Sequence, residues 1–407
     1  MTGESIHAGL EIGSSHIKCV IGDVVGEQIK VHGYDSKPCR GIKEGIIIDI
    51  PQTVDSIREV IESAEDKAKI NVNYVNLGVH GMHISSGDHH AAIAVMSQDQ
   101  EVSFNEVKQV LLAARSSVPN SEDEIIHTIP LEYMVDNQRG IMNPKGMEAK
   151  HLQVNVHNII AKASMLTNIK KCVEKAGFDI QSTILASLAA AELVLLDDEK
   201  ALGCILIDMG GSLCEVTYFN KGGIRGFYPI RNGSDYITND IAREIKSSRM
   251  EASRIKEDFG FATQAHIPKE GKVEITRIDG RTKDEVSLKD ISEIISGRLA
   301  DIFGKTGIKG KLEIMKINPD LVPSCILIGG GVKLPGMEDY VRAELGFQTR
   351  LGYPANCIGD SVVVDDVSWT SVLGLLKYDM SKESPTLAGR VNRKRRKGLI
   401  EWLKNMF

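Results

Sequence analysis

No stretch of this 407-residue chain approaches the run of about 20 apolar residues that a membrane-spanning helix needs. Its opening, MTGESIHAGLEIG, has neither the basic segment nor the apolar one that directs secretion, so export is not expected. Cysteine is scarce: seven residues, an odd number, with no CxxC spacing. Cys19, Cys39, Cys172, Cys204, Cys214, Cys325 and Cys357 each sit singly in apolar segments. That pattern argues against a disulfide framework or a cysteine zinc site and predicts buried, reduced thiols. His89 and His90 are adjacent but have no Cys or carboxylate at ligand spacing, so they read as a surface loop. No metal centre built from side chains alone is expected.

With 42% hydrophobic residues the chain has material for two or more packed domains. Charge is unevenly placed. The total is −6, but residues 390–407 hold seven Lys or Arg and one Glu, a net +6 that leaves −12 on the remainder. An acidic body with a basic tail is not expected to bind nucleic acid or anionic lipid broadly, so such contact falls to the tail. There Leu399, Trp402, Leu403, Met406 and Phe407 recur at helical spacing, with Ile400 on the flank. Arg390, Arg393, Lys394, Arg395, Arg396 and Lys397 precede them and Lys404 follows. The pattern predicts an amphipathic helix on an anionic membrane surface. Docking on the protein's own body or a partner, or a nuclear-localisation or nucleic-acid patch, are the alternatives. The polar stretch before it, with Ser381, Ser384, Pro385 and Gly389, reads as a flexible tether.

Two segments share one plan of apolar strand, acidic residue, Gly two places on, small residues and second strand. The first is GLEIGSSHIKCVIGD, with Glu11, Gly13, Ser14, Ser15 and Lys18; the second is CILIDMGGSLCEVTYF, with Asp208, Gly210, Gly211 and Ser212. Such a turn points backbone N–H groups into a concavity that suits phosphate oxygens, and the carboxylates Glu11 and Asp208 suit a hydrated Mg2+ ion. A plain hairpin with small residues is the alternative. The repeat predicts a duplicated α/β unit. A third segment, SCILIGGGVKLPGMEDYV, ends a buried strand in Gly329, Gly330 and Gly331, where the lack of β-carbons lets a base or ribose approach the backbone. A nucleotide held between two domains accounts for all three.

The two hairpins, the triple glycine and the small-residue helices STILASLAAAELVL and SWTSVLGLLKY follow the order of the actin, Hsp70 and sugar-kinase superfamily. Within it the chain resembles the FtsA family of bacterial cell-division proteins. The strings GIKEGIIIDI, EIIHTIPLEYMVDNQRGIMNPKGMEAKHLQVNVH, LGCILIDMGGS, GSDYITNDIA and ASRIKEDFG carry the likeness almost end to end, and the amphipathic tail completes it.

The resemblance implies an α/β, actin-like two-domain fold of duplicated ribonuclease-H-like units, with an extra 1C subdomain and a C-terminal amphipathic helix. Subdomain 1A would span 1–84 and 165–196, the SHS2-like 1C 85–164, 2A 197–235 and 319–378, and 2B 236–318. A linker at 379–389 would lead to the membrane helix at 390–407. ATP with Mg2+ is the implied ligand: Gly13, Ser14, Ser15 and Lys18 around its phosphates, and Asp208, Gly210, Gly211 and Ser212 opposite. Gly329, Gly330 and Gly331 would back the adenosine, Lys256 would approach base or ribose, and Asp235 and Thr238 would close the floor. The implied partners are the C-terminal tail of FtsZ, bound through roughly 236–318, further copies in filaments, later division proteins, and the cytoplasmic face of the membrane at the septum.

Several positions depart from the family pattern. Glu11 stands where Asp is usual, DMGGSLCE replaces a pattern near DIGGGTTD, so that Leu213 and Cys214 remove two hydroxyls, and Ser253 replaces a ribose-binding Glu. Each lost hydrogen bond to a charged group costs about 1.5–3 kcal/mol. Turnover depends on positioned charge more than binding does, so ATP is expected to bind weakly to moderately and to be hydrolysed slowly or not at all. A pilus-assembly adaptor of the PilM kind, an active ATPase and a specialised paralogue with a degenerate pocket are the competing readings.

Overall fold

The segments around Leu10 and Ile207 are apolar at successive rather than alternate positions, the pattern of strands covered on both faces. The computed structural model describes residues 6–97, 99–117, 120, 122–268 and 271–378. In it these segments are inner strands of two separate sheets. His7–Ile12 lies between antiparallel His16–Val25 and parallel Tyr74–Val79. Beyond them lie Gln28–Pro38 on one side and Asp179–Leu185 on the other, with Cys357–Ile358 at the edge. Cys204–Met209 lies likewise between antiparallel Cys214–Asn220 and parallel Ser324–Ile328, flanked by Gly223–Ile230 and Gln348–Leu351. Apart from the short edge strand, the two sheets repeat one order and one set of directions.

Local chemistry sets the helices that cover them. Ile50–Ala68 starts at Asp49, whose carboxylate accepts from the Gln52 N–H, with Pro51 in the first turn. It buries Val54, Ile57, Val60, Ile61 and Ala64 and stops where Lys69 turns left-handed, φ 56°. Two helices, Ala186–Val194 and Thr370–Lys377, cross between the sheets and are buried on nearly every face. A Cβ on Gly374 would fall 2.1 Å from the Ala189 carbonyl oxygen, so glycine is required there. Ser182–Leu185, expected as the start of the first crossing helix, is strand instead. It pairs in parallel with Asn76–Val79, an arrangement that suits the β-branched Thr183 and Ile184.

One core runs from the first sheet through the crossing helices to Leu206, Phe219 and Ile326 on one face of the second. A second core joins the opposite face, including Ile205, Ile207 and Val216, to the helices Arg249–Phe259 and Leu288–Phe303. A third, smaller core lies under the four-stranded sheet of Ile84–Ala94, His151–Lys162, Asp123–Val135 and Gln138–Ile141. The helix Phe104–Ser116, opened by a Ser103/Glu106 capping box, packs on it through Val110 and Leu111. His89 and His90 are not in a loop. They belong to the strand Ile84–Ala94, opposite Val156 and Asn155, where extended pairing with His151–Lys162 overrides the polar composition. All seven cysteines are free; five are buried, while Cys39 and Cys357 are half-buried. The expected linker 379–389 and membrane helix 390–407, with Arg393, Trp402 and the rest of that face, lie outside the described residues.

Candidate functional site

Both hairpin turns open onto one cleft of about 600 Å³. The first turn is closed by the Gly13 N–H donating to the His16 carbonyl (3.1 Å), the second by the Gly210 N–H donating to the Leu213 carbonyl (2.9 Å). The carbonyls of Gly210 and Gly211 accept from the N–H groups of Ser234 and Asp235 (2.9 and 2.8 Å), which fixes the start of the helix Ser234–Glu244 against the second turn. A Cβ on Gly211 would lie 2.8 Å from that of Ser15, so the two turns nearly touch. On the far wall Gly329 has φ +90°, and a Cβ there would meet Asp208 Oδ1 at 2.3 Å; a Cβ on Gly330 would meet nothing within 4 Å beyond its chain neighbours. That part of the triple glycine presents bare backbone to open space.

Every cleft residue expected from the sequence lines it except Thr238. Asp235 sits in the first turn of its helix, at the cleft, and forms an ion pair with Arg249 (3.1 Å). Thr238 lies one helical turn deeper and is 2% exposed within the core, so it does not form the floor. The Lys18 amine donates to the Ser368 carbonyl and lies 5.4 Å from the Trp369 ring centre. Burial lowers the Lys256 pKa, with Asp235 and Glu257 partly offsetting it. A cation held so expensively favours an anionic ligand.

The departures fall unequally. Leu213 lines the cleft, but Cys214 is buried behind it with its S–H donating to the Asn232 carbonyl (3.0 Å), so only one of the two lost hydroxyls bears on the site. Ser253 lines the cleft and donates to Glu257 Oε1 (2.7 Å); Glu257 lines it too. A carboxylate acceptor thus stands in the cleft one helical turn along from Ser253.

The sequence pointed to Glu11 and Asp208 at the cleft floor but not to Glu257, His80 or Glu215. His80 follows the strand Tyr74–Val79, with Nε2 3.4 Å from Glu11 Oε1 and Nδ1 3.8 Å from Glu215 Oε2. Burial opposes a charge on His80, but the facing Glu215 carboxylate and the charges of Glu11 and Asp208 prevail and raise its pKa to about 9. Burial and the Glu11 charge push Asp208 up to about 7, against the pull of His80. Two signals pointed here: Glu215 ends the second hairpin motif, and His80 lies beyond the carboxyl end of a parallel strand, where α/β folds place ligands.

The FtsA cell division protein family model matches residues 205–374, and a model for the SHS2 domain inserted in FtsA matches 81–160. The chain is 30% identical to the cell division protein FtsA of Pseudomonas aeruginosa, over 94% of this chain and 91% of that one. It is 31% identical to that of Bacillus subtilis, over 93% and 84%. The chain belongs to the FtsA family. Its α/β architecture is that of actin-like proteins. It resembles MreB5 of Spiroplasma citri bound to AMPPNP with a TM-score of 0.57 and 11% identity, covering 94% of this chain and 98% of that one. It resembles a PilM–PilN type IV pilus biogenesis complex with a TM-score of 0.64 and 16% identity, covering 91% and 97%. At those identities the likeness is one of fold. No helix among the described residues of this FtsA-family chain is long and apolar enough to cross a membrane.

Proposed function

We propose that this FtsA-family chain binds ATP between its two halves, assembles with its own kind, and ties FtsZ polymers to the cytoplasmic face of the membrane at the division septum. The observation that supports nucleotide binding is the meeting of both glycine–serine turns and the triple glycine on one cleft. N–H groups of the turns and Lys18 would hold the phosphates, Gly330 would lie along the adenosine, and Lys256 with Glu257 would reach the ribose or base. The buried carboxylates of Glu11 and Asp208 fit a cation, and Glu11 Oε2 has no hydrogen-bond partner. A bound Mg2+ ion would neutralise phosphate charge there. Leu213 at the phosphate end and Glu11 turned onto His80 leave little to orient a water, so hydrolysis is slow or absent.

Subdomain 1A is assigned to 1–84 and 165–196, 1C to 85–164, 2A to 197–235 and 319–378, and 2B, with the FtsZ-binding face, to 236–318. The anchor is 390–407. Six apolar side chains from Leu399 to Phe407 are each worth at most about 1.5–3 kcal/mol fully buried, and each nearby Lys or Arg adds about 1 kcal/mol. Partial insertion and helix ordering erode that sum, so one tail binds reversibly. A filament carrying many tails binds firmly and collects later division proteins where it forms.

Co-sedimentation with anionic liposomes, with and without FtsZ tail peptide, tests the anchor. Wild type is expected to pellet and Trp402→Glu to stay in solution; equal pelleting refutes the assignment. Calorimetry with ATP and Mg2+ beside a phosphate-release assay tests the pocket, and fast turnover at micromolar affinity would overturn the slow-hydrolysis reading.

A further inference from the structure

The floor of the cleft gathers titratable side chains from both halves of the molecule. Glu11 comes from His7–Ile12, His80 from the end of Tyr74–Val79, Asp208 from Cys204–Met209 and Glu215 from Cys214–Asn220. One ligand atom from each of His80, Asp208 and Glu215 lies within 4.8 Å of the others. An ion between them reaches bond lengths of about 2.0–2.2 Å after side-chain shifts of under ~1 Å.

Independent observations point to a ligand. Glu11 and Glu215 are 8% and 3% exposed, yet Glu11 Oε2 and Glu215 Oε2 have no hydrogen-bond partner. Buried carboxylate oxygens without partners are costly. The other Glu215 oxygen accepts from the Gly81 N–H (2.9 Å), and Asp208 Oδ2 accepts from the Ser371 hydroxyl (3.3 Å). Such outer contacts hold ligands in place before an ion arrives. Three carboxylates face one imidazole, and burial together with the Glu11 charge makes Asp208 resist ionising. A divalent cation relieves that repulsion.

The donor type decides which cation. Mg2+ prefers oxygen ligands and keeps its waters, whereas an imidazole nitrogen beside carboxylates suits a borderline ion of the first transition row. We propose that His80, Asp208 and Glu215, with Glu11 beside them, form a site that ligates such an ion directly, Zn2+ being the tightest fit. The site shares Glu11 and Asp208 with the water-mediated Mg2+ of the ATP reading, but His80 and Glu215 complete its donor set without nucleotide.

The test uses the full-length chain, stripped of metal by chelation and kept free of nucleotide. Zn2+ is titrated against a competing chelator, and wild type is expected to bind one equivalent at least ~100-fold more tightly than it binds Mg2+. His80→Gln and Glu215→Gln are each expected to weaken Zn2+ by ~10–100-fold or more while keeping the wild-type circular dichroism spectrum. Because either variant could misfold, wild type is also loaded with Co2+. Nitrogen and oxygen ligation gives weak d–d bands only; a thiolate charge-transfer band would assign the ion to a cysteine and overturn the site. Zn2+ binding no tighter than Mg2+, or unchanged in both folded variants, would overturn it too. Calorimetry with ATP reports on the nucleotide reading separately, so the two can fail independently.

Discussion

The two halves of the molecule use the same five-strand plan to opposite ends. In each, the strand parallel to the acid-bearing one runs into the cleft. In the first half it delivers His80, an imidazole among carboxylates; in the second it delivers Gly329, Gly330 and Gly331, which carry no side chain at all. The scaffold is shared and the ends of these two parallel strands differ, one supplying an imidazole and the other an edge of backbone. The proposed ATP, with an anionic end and a flat end, would suit that asymmetry.

Four experiments bear on it. Gly329→Val should do most damage, since positive φ and a Cβ 2.3 Å from Asp208 Oδ1 add strain to overlap. A loss of roughly 3–5 kcal/mol in urea denaturation is expected; wild-type stability would mean that the glycine wall has room for side chains. The charged wall should show in pH. A His80 pKa raised to about 9 stabilises the fold fully below its unfolded value near 6.5, and that stability is lost as pH climbs through 9. Asp208, raised to about 7 from 3.8, acts in the same sense at lower pH. Metal-free protein should therefore lose roughly 3 kcal/mol between pH 6.5 and 9.5, and His80→Gln should flatten that slope; parallel profiles would remove His80 from the account.

Smaller effects separate the ligand's two ends. Glu257→Ala should weaken ATP about 10-fold, the worth of one charge-assisted hydrogen bond, with an unchanged thermal midpoint. If affinity holds, Glu257 does not replace the acceptor lost at Ser253. Gly330→Ala should leave stability within ~0.5 kcal/mol, because its Cβ meets nothing, yet weaken ATP a few-fold by crowding the bare edge. Unaltered calorimetry would mean that the flat end of the ligand lies elsewhere.

Much of the architecture was legible because its signals are local. Continuous apolar strands, paired glycine–serine turns and small-residue helices each announce an element, and their order announced the duplicated α/β fold. Errors arose where neighbours overrode local pattern. Ser182–Leu185 is strand because Tyr74–Val79 offers a parallel partner, and His89 and His90 are strand because His151–Lys162 does. Thr238 was misplaced by one helical turn, a depth that spacing does not report.

The chain order of its motifs was enough to place a cleft between two similar halves, since turns and caps depend on residues adjacent in sequence. The meeting of His80 and Glu215 with Glu11 and Asp208 on the floor of that cleft was not readable in this way. Glu11, His80, Asp208 and Glu215 come from four strands of two sheets, and whether they meet depends on how the sheets dock across the crossing helices. The shifted proton affinities of His80 and Asp208 follow from that docking, because burial and neighbouring charge at a few ångströms exist only once the halves have closed on one another.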